Sequence, residues 1–166
     1  MVLSGVLSPG VAGTTETLML MQGLVEDGAR DPGVRAAALS AIQSARVAPR
    51  DYLGELRAHF EYVSRTIRYT PDPSNTEVLY GPQYILSHHA GDCDDMATLL
   101  ASLLRAIGWP GRLWFKAIST TENPASFSHV YLVAQLGAQV VPMDASVRAP
   151  FGWEYPGAVL VKLVEV

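Results

Sequence analysis

An α+β domain, with helices first and antiparallel strands second, is predicted by three features of the sequence. Up to Ile107 the apolar residues recur at helical spacings of three and four. From Gly111 onward the chain turns to short runs rich in β-branched and aromatic residues. Two of those runs flank Gly137-Ala138, a two-residue turn that makes an antiparallel hairpin. Segregated rather than alternating helices and strands mark the α+β class.

Thr14 to Glu26 reads as the first helix, with Leu18, Leu20, Met21, Leu24 and Val25 as its apolar face and Gly28 as its end. Asp31-Pro32 opens a second through Ala45, because Asp31 suits the N-cap and Pro32 the first helical position. Asp51 opens a third, whose stripe is Leu53, Leu56, Phe60, Val63 and Ile67. Tyr69 to Ala90 reads as loop, broken by Pro71, Pro73, Gly81 and Pro82, with one short turn at Gln83 to Ser87. A central helix runs from about Asp92 to Ile107 and stops at Gly108; it is apolar on most sides and is expected to be buried. Strands follow at Leu113 to Ile118, Val130 to Leu136, Gln139 to Met143 and Ala158 to Val164.

At 166 residues the chain fits one domain (1–166), with 1–50 as an N-terminal helical extension of a core at 51–166. Apolar residues make up 49% and charged ones 17%, which excludes a disordered chain. A net charge of −4 disfavours nucleic acid as a partner. No apolar run approaches the roughly 20 residues that span a bilayer, so no membrane partner is expected. Met1 to Gly10 lacks a basic segment and reads as an irregular arm rather than a signal peptide. A single cysteine makes no internal disulfide, and a cytoplasmic location is the expectation.

That cysteine, Cys93, stands in Gly91-Asp92-Cys93-Asp94-Asp95-Met96-Ala97, at the first turn of the central helix. Helix dipole and free N–H groups there favour a thiolate. His129 and Asp144 follow in otherwise apolar stretches, which is the order of a nucleophile, a base and an orienting carboxylate. With Gly137-Ala138 as the turn, Leu136 pairs with Gln139 and Tyr131 falls opposite Asp144. His129 and Asp144 then share a face as diagonal neighbours, roughly 7 Å apart at Cβ. Asp92 is placed to cap the helix and Asp95 to reach back to the cap's N–H. The three aspartates beside Cys93 oppose its ionisation. The dipole, worth at most about 2 kcal/mol, leaves an imidazolium at His129 to tip the balance.

These residues resemble the transglutaminase-like superfamily. The stretch from Gly91 through Leu100 to Gly108 is similar to its catalytic-cysteine helix, a Gly-x-Cys-x-Asp core leading into an apolar helix. Ser128-His129-Val130-Tyr131 resembles its histidine motif, and Pro142-Met143-Asp144-Ala145-Ser146 its aspartate motif. Arg65 to Tyr69 resembles the segment before the active-site loop, and the likeness runs from about Asp51 to Ala149. The N-terminal helices look similar to those of phage- or prophage-encoded members, which would make the protein virion-associated. The resemblance implies a papain-like core, with Cys93 on a helix packed against a sheet that carries His129 and Asp144. It implies acyl transfer from a peptide or protein amide through a thioester, to water or to an amine, with no cofactor. Two departures stand out: Trp109, Trp114 and Trp153 all follow the cysteine, so an oxyanion-binding tryptophan has no counterpart. The chain also lacks the extra β-domains of the large transglutaminases, which argues against protein cross-linking.

In that mechanism Cys93 attacks, His129 moves the proton and Asp144 fixes the ring. The oxyanion meets the Cys93 N–H and a second donor, for which Gln83 is the candidate and Tyr69 or Tyr80 the alternatives. Tyr69, Tyr80 and Trp153 are the candidates for substrate contact, Trp153 together with Tyr155 as a cleft wall. Taken singly, Cys93 reads as a packed apolar residue, His129 as a core histidine and Asp144 as a turn residue. His88 and His89 beside Asp92 to Asp95 raise a metal site, but no second cysteine supplies paired zinc ligands, and none is expected. A non-catalytic virion-assembly or peptide-binding protein that retains the fold is the alternative function.

Overall fold

The computed structural model describes residues 2–5, 11–73, 77–120 and 125–166. Five helices occur among them: α1 Val11–Arg30, α2 Pro32–Ala45, α3 Tyr52–Thr66, α4 Pro82–His88 and α5 Cys93–Ala106. The strands are β1 Val2–Gly5, β2 Arg68–Tyr69, β3 Glu77–Tyr80, β4 Ala90–Gly91, β5 Arg112–Ile118, β6 His129–Leu136, β7 Gln139–Met143 and β8 Val161–Glu165.

The centre of the molecule is α5, of which 12 of 14 residues are buried. Such a helix has no solvent face to spare, which is why its sequence is apolar on most sides. One side packs on a four-stranded antiparallel sheet in the order β7-β6-β5-β8. Strand alternation turns Phe115, Leu132, Ala134 and Met143 into the core shared with α5. The opposite face carries a smaller cluster of Ile118, Tyr131 and Val133, covered by Tyr155 and Ala158. Helices α1, α2 and α3 enclose α5 elsewhere through Leu18, Met21, Val34, Leu56 and Val63, each at most 1% exposed. No described helix is long and apolar enough to cross a membrane.

The hairpin turns as the sequence predicts. Gly137 takes φ +60°, Leu136 pairs with Gln139, and the register runs on to Leu132 opposite Met143. Helices α2 and α3 start where their caps say: Asp31 accepts from the Val34 N–H and Asp51 from the Gly54 N–H, both at 2.9 Å. Helix α5 ends before Gly108, which takes φ +71°.

Five expectations need correction. Helix α1 does not end at Gly28; it begins earlier and continues to Arg30. A Cβ on Gly28 would lie 2.7 Å from Pro82 and 2.8 Å from the Ser102 hydroxyl, so this glycine lets α1 approach α4 and α5. Leu20, placed on the apolar face, is 41% exposed. The irregular arm contains β1, which pairs antiparallel with β3, while Met1 and residues 6–10 lie outside the described residues. The loop from Tyr69 to Ala90 holds β3, α4 and β4, since two-residue and four-residue strands leave little periodicity to read. The last strand starts at Val161 rather than Ala158.

Candidate active site

Cys93 is the first residue of α5. A short parallel pairing sets what stands beside it: Tyr69 of β2 lies opposite Gly91 of β4, and Thr70 donates its N–H to the Gly91 carbonyl at 2.9 Å. The two-residue ladder therefore fixes Tyr69 next to the start of α5. Asp92 is the cap, accepting from the Asp95 N–H at 3.5 Å. Asp95 is also held from another direction, because its Oδ1 accepts the Tyr80 N–H at 2.8 Å.

His129 opens β6, and Asp144 directly follows β7. Their side chains meet as the hairpin register requires, with His129 Nε2 and Asp144 Oδ2 2.6 Å apart. Asp144 is itself fixed: its Oδ1 accepts from the Ser146 hydroxyl at 2.7 Å and the Ser146 N–H at 3.2 Å. A carboxylate on Nε2 keeps the ring proton there and leaves Nδ1 as the nitrogen that can take up a proton.

Cys93 and His129 line one cavity of about 390 Å³. Its wall is completed by Gly13, Thr14, Thr17 and Leu18 of α1, by Tyr69, and by the Ser126–Ser128 segment before β6. The Val130 N–H, one residue past His129, donates toward the Cys93 sulfur and favours its anion. Burial outweighs it, and the charges of Asp94, Asp92 and Asp144 add to burial, so the thiol is pushed well above its ordinary pKa. Tyr69 shifts upward too, through burial and the charges of the Cys93 thiolate, Asp92, Asp94 and Asp144, so its hydroxyl remains a hydrogen-bond donor.

Other sequence candidates lie elsewhere. Gln83 is exposed on α4, and its side chain bonds Asp31, the cap of α2, rather than the cavity. Tyr80 stacks on Tyr84 at 4.6 Å. Trp153 sits edge-on to Tyr155 at 5.9 Å, and neither lines the cavity. His88 stacks on Tyr84 at 3.7 Å. Among the described residues, the potential metal ligands that cluster are Asp92, Asp94 and Asp95; neither histidine nor Cys93 joins them. The α1 residues of the wall and Ser146 went unread as site residues. Ser146 had a signal, its place two residues after Asp144, whereas small residues on a helix give none.

Several solved structures resemble the chain, and two of them show the likeness. One is a protein from Cytophaga hutchinsonii provisionally named a cysteine protease, 18% identical with a TM-score of 0.51, covering 78% of this chain and 42% of its own. The other, from Parabacteroides distasonis and provisionally named a protease, is 12% identical with a TM-score of 0.55, covering 86% and 27% respectively. The chain thus spans less than half the length of either, and at these identities the likeness is one of fold. No curated protein matches the sequence. The profile of the transglutaminase-like superfamily matches residues 41–145, a stretch that runs from the end of α2 through α5 and the hairpin to the residue after Asp144. Cys93, His129 and Asp144 all fall inside it, on the antiparallel α+β core described above, and the chain belongs to the transglutaminase-like superfamily.

Proposed function

We propose that the protein is a cysteine-nucleophile hydrolase or acyltransferase acting on amide bonds, with Cys93, His129 and Asp144 as its triad. The observation that carries this reading is the 2.6 Å His129–Asp144 hydrogen bond at the cavity that also holds Cys93. The thiol rests protonated, so attack is assisted by a base: Cys93 Sγ bonds to the amide carbonyl carbon as its proton passes to His129 Nδ1. Asp144 stabilises the imidazolium through Nε2. The oxyanion is met by the Cys93 backbone N–H at the start of α5 and by the Tyr69 hydroxyl, which takes the place proposed for Gln83. Collapse breaks the C–N bond, the leaving amine takes the proton, and a thioester remains. Water or an amine then releases the acyl group.

An activated ester tests this without knowledge of the substrate. With p-nitrophenyl acetate, the protein should give a burst of p-nitrophenol and gain one acetyl group on Cys93 by intact mass. Cys93→Ala should abolish acetylation, and His129→Ala should slow it roughly 100-fold. Equal rates in wild type and His129→Ala would remove His129 as the base.

One observation favours a second reading, a peptide-binding module that merely retains the three residues: the raised pKa of Cys93. A binder needs no reactive thiol. That reading expects no acetylation at neutral pH in any variant.

A further inference from the structure

A second cleft, of about 670 Å³, opens beside the first, and Tyr69 lines both. Its floor is continuous with the triad's supports. Met96 stands one turn along α5 from Cys93, and Ala145 and Ser146 follow Asp144 directly. The charge of this cleft is unlike that of the chain. Arg57, Arg65, Arg68 and Arg148 line it against a single carboxylate, Glu61. Four of the chain's 12 basic side chains are thus gathered in one recess of a protein with net charge −4.

Two of the four arginines are engaged. Arg65 pairs with Glu61 at 3.0 Å, and Arg57 lies over the Phe151 ring, 4.9 Å from its centre. Arg68 and Arg148 are exposed, and neither has an acidic side chain within ion-pair distance among the described residues. Clustering like charges is unfavourable unless a counter-charge arrives, and guanidinium groups match carboxylates in shape and hydrogen bonding. A recess focuses such a field.

We propose that this cleft is a specificity subsite for an acidic segment of a peptide, with side-chain carboxylates held by Arg68 and Arg148. The peptide then crosses Tyr69 and presents an amide to Cys93. The second step rests on the catalytic reading above; the binding step does not. A nucleic acid is the less favoured ligand, because the basic side chains end within one cleft instead of forming a track along the surface.

The test uses fluorescein-labelled octapeptides of glycine with four glutamates, four glutamines or four lysines, titrated by anisotropy at low and at high salt. The glutamate peptide should bind wild type roughly tenfold or more tightly than the glutamine peptide, with the preference shrinking at high salt. It should also slow iodoacetamide alkylation of Cys93. The double variant R68Q/R148Q should lose the preference, and R148E should shift it toward the lysine peptide, a gain that a misfolded protein does not show. Equal binding of the three peptides by wild type, or a preference that survives R68Q/R148Q, overturns the subsite. Acetylation of Cys93 by p-nitrophenyl acetate is read on the same proteins. Its loss with peptide preference intact removes the catalytic reading alone, and the converse removes the subsite alone.

Discussion

Asp95 shows how much a single side chain can shape the behaviour of this domain. It is 1% exposed, and its Oδ2 has no hydrogen-bond partner among the described residues. Burial raises its pKa from 3.8 to about 8, against the opposing Tyr80 and Asp92 N–H groups. In the unfolded chain the carboxyl returns to its ordinary value. Below that value both states hold the proton; between it and about 8 only the folded state does. Stability contributed by Asp95 therefore falls as pH rises through that window and levels off above it. Asp95→Asn keeps the acceptor for Tyr80 and removes the titration. Its melting temperature should exceed that of wild type by at least about 2–4 °C at pH 8.5, with the gap narrowing as pH falls and closing only at the ordinary carboxyl value of 3.8 in circular-dichroism melts. Asp94 acts on the thiol by the same logic. Wild-type Cys93 should be alkylated by iodoacetamide with a rate that climbs only above pH 9, and Asp94→Asn should move that rise to lower pH. The sequence shows these aspartates crowding Cys93. It does not show Asp95 committed to β3, because that contact joins segments 15 residues apart.

Among the elements, α1 carries three glycines, of which Gly23 and Gly28 have roles that differ in sign. Gly23 is exposed, and a Cβ there would meet nothing within 4 Å; Gly28 would drive a Cβ into Pro82 and Ser102. Gly23→Ala should raise the urea midpoint by about 0.5–1 kcal/mol of stability through helix propensity. Gly28→Ala should lower it by about 1–3 kcal/mol through overpacking. The same pair shows where sequence reading succeeds and stops. Caps at Asp31 and Asp51 and the Gly137 turn act within a few residues, and they were legible. Gly28 looked like a helix end because its true function, close approach of α4 and α5, depends on partners 54 and 74 positions away. Strands β2, β3 and β4 were missed for a related reason: four residues or fewer, they are specified by their pairing partners.

For the whole molecule, the N-terminal helices are part of both the core and the cavity. Leu18 and Met21 of α1 are buried against the central cluster, while Gly13, Thr14 and Thr17 line the space over Cys93. Removing residues 1–50 should therefore expose the apolar surface of α5 and leave a chain that binds anilinonaphthalene sulfonate and melts without a cooperative transition. A truncated chain that melts cooperatively would show residues 51–166 to be self-sufficient. The His129–Asp144 register was readable because one β-turn sets it. The second cavity was not, since Arg57, Arg65, Arg68 and Arg148 converge from α3, β2 and the segment after Asp144.

The charges around Cys93 bear on its oxidation. Peroxide oxidises a thiolate far faster than a thiol, and the damage becomes irreversible past the sulfenic acid. A sulfur kept protonated by burial and by Asp94, Asp92 and Asp144 is chemically durable. The chain has no second cysteine to resolve a sulfenic acid as a disulfide. Its acidic surroundings thus give the lone sulfur a longevity that repair within the chain does not supply.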